Sequence, residues 1–377
     1  MIPSSMAPQV SPAIDGVFEL FKQKFVVALG DAHGLAQEEA FYSALVQDPR
    51  FAEQVGNVVV EFGGAIAQET IDRYVAGEDV SFAKLRRVWT DTAGAFSPGE
   101  PVPLGLVNFF ANVRAANLKL TPDLKIKVWL GDPKVDWSQI RSFQDLQPFL
   151  RKRDDNMFGI LDEQILGKHK KALLIVGLGH LFGPGGSGPL TGRISHAYPG
   201  ALAIVSPFIG YLEPECNATF LGRAKGWPTP AILRPVHGTS LEAALQLPNC
   251  NFIPSSRIEQ MKRMAEPMPK ANNGEAPAGT QILGGGPGGG KPPSPTDMIA
   301  AEIDIMSGRH ADAILYLGPP DTLTQAPIED SLYLDPDYFE EAKRRAKCCV
   351  PLGPPPNWEM ILQRNSVTPR KYDRFEQ

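Results

Sequence analysis

The sequence lacks most of the short motifs that would assign a chemistry directly. It contains four cysteines, none in a Cys-x-x-Cys pair, so a zinc knuckle or a thioredoxin-like site is not expected. Cys348 and Cys349 are adjacent, and two reduced thiols near a helix end are the simpler expectation, with a redox role as the alternative. No Gly-x-Ser-x-Gly segment is present, so a serine hydrolase would have no nucleophile. No Gly-x-Gly-x-x-Gly segment follows the first apolar run, which argues against dinucleotide binding.

Long apolar runs and long basic runs are also missing. No stretch comes near the roughly eighteen uninterrupted apolar residues of a membrane span. The net charge is -5 and no basic stripe is visible, so a nucleic-acid partner is not expected. Residues 1–12 are expected to form a flexible N-terminal tail, and they lack the basic start and apolar core of a secretory signal. We therefore expect a cytoplasmic protein, or an exported one whose signal peptide has been removed.

What the sequence does contain is a series of short apolar runs that end in glycine or in polar residues. Runs that are aliphatic at every position are typical of strands buried between helices. Helical patterns lie between them, and strand–helix alternation predicts an α/β fold with a mostly parallel sheet flanked by helices. The predicted strands are Phe25–Asp31, Val58–Phe62, Ile126–Asp132, Ala172–Gly177, Ala201–Ser206 and Ala313–Gly318, and the predicted helices between the first four are Ala36–Val46, Gln68–Val75, Pro103–Asn117 and Phe149–Leu166.

One segment departs from this pattern. Residues from about 266 to 297 are rich in glycine and proline and have little to bury, so they are expected to form a disordered insertion. Apolar periodicity resumes after it, which places the insertion within a single domain of residues 13–335. Residues 336–377 are expected to form a C-terminal arm that packs against the core or against a second copy of the chain. The sequence leaves the oligomeric state open.

Titratable side chains follow three of the predicted strands. His33 ends the segment Gly30–His33 and His180 ends Gly177–His180, so both histidines follow a strand with the spacing Gly-x-x-His. Glu61 ends the valine-rich second strand. Ligands of open parallel sheets bind outside the carboxyl ends of the strands, so we expect these three side chains to meet. Taken singly, each histidine could be a hydrogen-bonded turn residue, and Glu61 could belong to an ion pair.

Further polar residues are expected at the same edge. Arg153 could pair with Glu61 or with an anionic intermediate, or it could lie on a solvated, charged helix face. Asp31 either faces the site or caps the helix that follows it. Glu38 and Glu39 lie one turn past the first histidine, and one of them should face the same side. The candidate substrate-binding residues are Asp31, Glu38, Asp132 and Asp154.

Four short segments stand in an order that resembles a known superfamily. They are Gly30–His33, Glu61 after a run of valines, Arg153–Met157 and Gly177–Leu181. The set is similar to that of ChaN-like haem-uptake proteins, Tiki/TraB proteins and erythromycin esterases, over about residues 20–210. A late strand in residues 311–319 resembles the same group and extends the likeness to about residue 325. The first segment has aspartate where ChaN-like members usually have glutamate, and it lacks the extra residue that marks the esterase type.

The resemblance implies a shared α/β fold and a shared polar pocket with different activities. Tiki-like members are metal-dependent proteases that use the two Gly-x-x-His motifs, erythromycin-esterase-like members open a macrolactone ester with a histidine as general base, and ChaN-like members bind haem. By motif position, His33 would be the general base or a metal ligand. Glu61 and His180 would complete the site and would share the metal if one is bound, and Arg153 would contact the acidic groups or the substrate.

The first hypothesis is therefore a hydrolase of ester or amide bonds, in which His33, alone or on a divalent metal, activates water. A mixed set of histidine and carboxylate ligands is compatible with Zn, Mn or Fe. His33, Glu61, Arg153 and His180 would be the catalytic residues, acting on a small-molecule or peptide substrate. The alternative is a ChaN-like haem- or iron-binding protein without turnover.

Overall fold

The centre of the structure is one eight-stranded β-sheet. A computed structural model of the chain describes residues 6–94, 102–183, 186–265 and 294–349, together with 357, 359, 363 and 369–373. The strands are β1 (Gln9–Pro12), β2 (Val26–Asp31), β3 (Asn57–Gly64), β4 (Lys127–Asp132), β5 (Ala172–Gly177), β6 (Leu202–Phe208), β7 (Ala231–Arg234) and β8 (Ala313–Tyr316).

The strands lie in the order β1-β7-β8-β6-β2-β5-β3-β4. The six strands from β8 to β4 run parallel. At the other side of the sheet β7 pairs antiparallel with β8, and β1 pairs antiparallel with β7 and forms the last strand. The fold is therefore α/β with a mostly parallel sheet, which confirms the predicted class. β2 and β5 lie at the centre, and each of their residues is buried, as expected for parallel strands covered on both faces.

Helices connect the strands and cover both faces of the sheet. None of the helices in the described ranges is both long enough and apolar enough to cross a membrane. A π-helical stretch, Leu161–Ile165, directly follows the helix Arg153–Ile160. The helices are α1 (Ala13–Phe21), α2 (Ala36–Gln47), α3 (Pro49–Gln54), α4 (Gln68–Ala76), α5 (Phe82–Leu85), α6 (Arg87–Thr90), α7 (Leu104–Asn117), α8 (Phe143–Arg151), α9 (Arg153–Ile160), α10 (Leu178–Leu181), α11 (Pro189–Ala197), α12 (Pro214–Ala224), α13 (Ser240–Ala244), α14 (Ser255–Ala265), α15 (Pro295–Ser307), α16 (Ser331–Leu334) and α17 (Pro336–Cys349).

Two apolar layers, one on each face of the sheet, form most of the core, and a smaller cluster around Trp137 adds to it. Alternate residues of a strand point to opposite faces, so Val27 of β2 belongs to one layer and Ala28 to the other. The first layer contains Phe41 of α2 and Phe109 of α7, and the second contains Phe220 of α12. Because side chains fill both faces of the sheet, the ends of the strands are where a ligand can reach them.

The six predicted strands are present, and the structure adds two that the sequence did not predict. Gln9–Pro12, expected to belong to a flexible tail, pairs with Ala231–Arg234 at the antiparallel edge. The predicted helix Phe149–Leu166 is interrupted at Lys152, which separates α8 from α9. Most of the glycine- and proline-rich insertion lies outside the described residues, but its expected end is helical, because Ser294 caps α15.

Two disulfide bonds link the four cysteines. Cys348 and Cys349, at the end of α17, are bonded to each other, which corrects the expectation of two reduced thiols. Cys216 of α12 is bonded to Cys250, 34 residues further along the chain. Sequence spacing did not indicate this second bond, because it depends on how α12 packs against the segment before α14.

Candidate active site

Four neighbouring parallel strands deliver polar side chains to one edge of the sheet. Asp31 ends β2 and His33 lies in the turn after it, while His180 belongs to α10, directly after β5. Glu61 lies in the second half of β3, and Asp132 ends β4. These strands are adjacent and parallel, so their carboxyl ends share one crevice, the usual location of a ligand in such a fold.

Arg153 joins two buried carboxylates in this crevice. Its Nη2 donates to Oε1 of Glu61, and its Nε donates to Oδ1 of Asp132 at 2.7 Å. The other oxygen of Asp132 accepts a hydrogen bond from the backbone N–H of Ala93. The Arg153 side chain is only 13% exposed, so it is not part of a solvated helix face. Burial would lower the pKa of Arg153, but the two carboxylates raise it above its usual value, and the guanidinium stays charged.

The backbone around Glu61 directs its carboxylate into the crevice. The register between β3 and β4 shifts between Val60 and Gly64, and such an irregularity re-aims the side chains of the strand. The second oxygen of Glu61 accepts a hydrogen bond from the N–H of Gly177. A Cβ atom at Gly177 would lie 3.0 Å from Glu61 Oε2 and 3.1 Å from His33 Nε2. Glycine at this position therefore allows Glu61 and His33 to lie close to each other.

His180 lies between two carboxylates. Its Nδ1 is 2.7 Å from Oδ1 of Asp154, and its Nε2 is 3.3 Å from Oε1 of Glu61. Burial would lower the pKa of His180, but the charge of Glu61 and the bond to Asp154 raise it to about 9, so the ring is cationic at neutral pH. Burial would in turn raise the pKa of Glu61, but the charges of His180, Arg153 and His33 lower it well below its usual value.

His33 is paired with Asp31. The distance from His33 Nδ1 to Asp31 Oδ2 is 2.7 Å, and 33% of the histidine side chain is exposed, so the ring is accessible from the crevice. Burial would lower the pKa of His33, but Asp31 and then Glu61 raise it to about 9. Gly34 follows with a φ of +77°, a left-handed conformation that suits glycine. The N-cap of α2 is Leu35, so Asp31 faces the site rather than capping the helix.

A second group of carboxyls lies behind Asp31. Glu38 and Glu39, in the first turn of α2, are 0% and 2% exposed. Glu38 Oε2 accepts a hydrogen bond from the Ala32 N–H at 2.8 Å, and Tyr42 Oη donates to Asp31 Oδ1 at 3.3 Å. Oε1 of Glu38 and both oxygens of Glu39 have no hydrogen-bond partner of good geometry among the described residues. Burial, and then the charge of Asp31, raise the pKa of Glu38 and of Glu39 well above the usual value.

Replacing Glu39 by glutamine is expected to make the free energy of unfolding depend less on pH. A carboxyl whose pKa is raised by folding keeps a proton that the unfolded chain releases, so stability falls as pH rises above the ordinary value of 4.5. His33 and His180 act in the same direction. Folding raises the pKa of each ring from 6.5 to about 9, so each ring stabilises the folded protein fully below pH 6.5, and this stabilisation is lost as pH rises through about 9.

Urea denaturation at several pH values between about 5 and 8 would measure this slope, since glutamine keeps the shape of Glu39 but has no carboxyl proton to release. Glu53→Gln is the control, because Glu53 is exposed on α3. Equal slopes for the wild type and Glu39→Gln would show that Glu39 is already ionised in the folded protein.

The three candidate metal ligands do not share an open centre. Both ring nitrogens of His180 contact carboxylates, and both oxygens of Glu61 contact donors, namely Arg153 and His180 on one and the Gly177 N–H on the other. In the part of the chain that the structure describes, no group of three or more His, Cys, Asp and Glu is arranged to hold a metal ion. Arg153 and His180 already place positive charge beside Glu61, so as arranged these residues leave no open set of ligands for a metal ion.

The structure brings all eight candidate residues into one connected group, and it adds Glu39, Tyr42 and Tyr372 to them. Tyr372, in the C-terminal arm, donates from its Oη to the carbonyl of Ala32 at 3.0 Å. Its backbone N–H donates to Leu323 O at 2.9 Å, so this part of the arm packs against the core. Tyr42 could have been found from the sequence, because it lies one turn after Glu38 in α2. No sequence signal pointed to Tyr372.

Comparisons with known proteins found no matching sequence and two distant structural likenesses. No family model and no curated protein sequence matches the chain. Among solved structures, the type III effector HopBA1 is similar with a TM-score of 0.36 and 12% identity, over 56% of this chain and 92% of that one. A Bacillus cereus protein is similar with a TM-score of 0.34 and 11% identity, over 54% of this chain and 73% of that one. At TM-scores this low the likeness carries no argument, and it is the strand order of the sheet that establishes the chain as an α/β protein with a mostly parallel sheet.

Proposed function

We propose that the protein is a hydrolase of ester or amide bonds, of the kind that the resemblance to erythromycin esterases and Tiki proteins implies, and that His33 removes the proton from the attacking water. The observation that carries this proposal is the pairing of His33 Nδ1 with Asp31 at 2.7 Å. A carboxylate on Nδ1 fixes the ring orientation and the tautomer, and it directs Nε2 towards the reacting atoms.

The cationic groups of the site support the same reaction. His180 and Arg153 place two positive charges around Glu61, next to the crevice into which His33 Nε2 points. Attack on a carbonyl produces a negatively charged oxygen, and fixed positive charges in a site of low polarity stabilise it. Glu61 holds both cations in position and is therefore a positioning residue in this mechanism. On the side away from Glu61, Asp132 contacts Arg153 and Asp154 contacts His180.

The pH dependence of hydrolysis tests the role of His33. A general base must be neutral, and a pKa of about 9 leaves roughly one His33 ring in a hundred neutral at pH 7, so kcat/KM should rise about tenfold per pH unit and level off near pH 9. Asp31→Asn should move this rise to lower pH, because the Asp31 charge is the largest of the interactions that raise the pKa of His33.

The profile can be recorded with 4-nitrophenyl acetate as a reporter ester, in buffers containing EDTA, since the proposed mechanism uses no metal. The His33→Ala protein provides the background rate at each pH. A wild-type rate above that background that is flat between about pH 6 and 9, or an unmoved profile in Asp31→Asn, would contradict His33 as the base.

A further inference from the structure

A second concave region lies at the same ends of the strands as the polar site. β6 is the neighbour of β2 on the side away from β5, and β8 is next to β6. The residues that follow β6 (Ile209–Leu212) and those that follow β8, including Pro320, line a cavity of about 600 Å³. Because β6 and β8 are parallel to β2, this cavity lies at the same edge of the sheet as His33.

The walls of this cavity combine aromatic and aliphatic side chains with polar and charged ones. The rings of Tyr211 and Phe252 lie 4.3 Å apart, and Leu221 of α12 adds a third apolar side chain. The Cys216–Cys250 bond ties the segment that carries Phe252 to α12. The wall is therefore covalently fixed on one side, a property that favours a preformed binding site over a collapsible surface groove.

The close approach of the two loops depends on one glycine. Gly210 has a φ of +96°, and a Cβ atom there would lie only 2.5 Å from Pro320. Tyr211 is held in the same loop by its N–H, which donates to Oδ1 of Asn217 at 2.7 Å, and by its hydroxyl, which contacts the Ala244 carbonyl. The cavity thus has fixed main-chain walls as well as fixed rings.

Tyr372 connects this cavity to the catalytic turn. Its side chain lines the cavity, and its hydroxyl donates to the carbonyl of Ala32, the residue before His33. A single aromatic side chain therefore belongs both to the cavity wall and to the turn that carries the proposed base. Charged groups, Asp321, Lys371 and Asp373, lie among the lining residues beside it.

We infer that this cavity binds the apolar body of the substrate, while the ester or amide carbonyl lies at His33. The volume is within the range of small-molecule sites, roughly 300 to 1,000 Å³. Aromatic faces that could hold an apolar group lie beside polar and charged groups that could hold a polar one. The substrate class is then a small amphipathic ester or amide with an aromatic or branched aliphatic body. This inference rests on the proposed hydrolase function for the reaction, but the binding of an apolar group in the cavity can be measured without turnover.

The test places a bulky side chain in the cavity and uses the same substitution at a neighbouring residue outside the cavity as the control. Ala218 of α12 is exposed and lines the cavity, whereas Thr219, the next residue, is exposed and does not line it. Ala218→Trp should weaken binding of the fluorescent probe anilinonaphthalene sulfonate at least about tenfold and should raise KM for 4-nitrophenyl butyrate by a similar factor, with kcat changed less than about twofold. Thr219→Trp should match the wild type in both measurements.

The two measurements separate the failure of this inference from the failure of the proposed function. Probe binding that is unchanged in Ala218→Trp, or weakened equally in Thr219→Trp, would overturn the cavity as a ligand site. If hydrolysis is confirmed and KM for the butyrate ester does not rise in Ala218→Trp, the substrate body lies elsewhere. If Ala218→Trp weakens probe binding but no His33-dependent hydrolysis is found with any ester, the cavity is a ligand site and the hydrolase proposal fails.

Discussion

The Arg153→Met variant is expected to lose about 3 to 5 kcal/mol of unfolding free energy. Arg153 is the only cation in contact with both Glu61 and Asp132 among the described residues, and those two side chains are 4% and 0% exposed. Methionine fills a similar volume but leaves Asp132 without a cationic partner and Glu61 with His180 alone. Removing one member of a buried ion pair costs more than the pair contributes, because the remaining charge stays out of water.

The loss should be larger at pH 8 than at pH 5. Without the guanidinium, the pKa of Glu61 and of Asp132 should rise, so that protonation at lower pH removes part of the buried charge. Urea denaturation at the two pH values measures this difference. Arg193→Met is the matched control, because Arg193 pairs with Asp155, which is 55% exposed, and such pairs contribute less than about 1 kcal/mol. A cost for Arg153→Met no larger than that of the control would show that the two carboxylates are already neutral in the folded protein.

Replacing His33 by alanine should reduce kcat by roughly 1,000-fold towards 4-nitrophenyl acetate, since a positioned general base contributes about 100- to 10,000-fold. The protein should still fold, because one third of the His33 side chain is exposed, but it should lose some stability, because the buried Asp31 loses its cationic partner. Circular dichroism and the urea midpoint measure the fold, and the initial rate at about pH 9 measures the activity. At that pH the wild-type base is half neutral, so the difference between the two proteins is large.

His196→Ala provides the comparison, since His196 is exposed on α11 and belongs to no part of the site. It should retain the wild-type rate. A His33→Ala protein that is folded and hydrolyses the ester within about tenfold of the wild type would remove His33 as the base and with it the proposed mechanism.

Most of the strands that were predicted from sequence contain an uninterrupted run of four or more hydrophobic residues. β2 and β5 are buried on both faces, and that burial requires the continuous apolar runs that the sequence shows. β1 and β7 were not predicted, because neither contains such an apolar run. Gln9–Pro12 is an edge strand with polar residues, and Ala231–Arg234 has only three apolar residues and is flanked by prolines. Such strands form because a neighbouring strand offers hydrogen bonds, and a neighbour is not visible in the local sequence.

Part of the candidate site could also be predicted, because its position depends on a general property of parallel sheets. His33, Glu61 and His180 could be placed together because the carboxyl ends of adjacent parallel strands share an edge, whatever the details of packing. Tyr372 could not be placed, because it reaches Ala32 from a segment 340 positions away. The orientation of Glu39 was also open, since the sequence indicated that one of two adjacent glutamates would face the site, and the structure buries both.

The central position of β2 has a consequence for how the protein folds. β2 begins at Val26, but it pairs with Ala172 of β5 on one side and with Leu202 of β6 on the other. Both neighbours must be brought from far along the chain, and closing such long loops costs entropy before any strand hydrogen bond is formed. Folding should therefore be slow compared with that of domains built from local contacts. The turn that carries His33 cannot reach its final geometry until the second half of the sheet has joined the first, so activity should appear in refolding no earlier than the slowest structural phase.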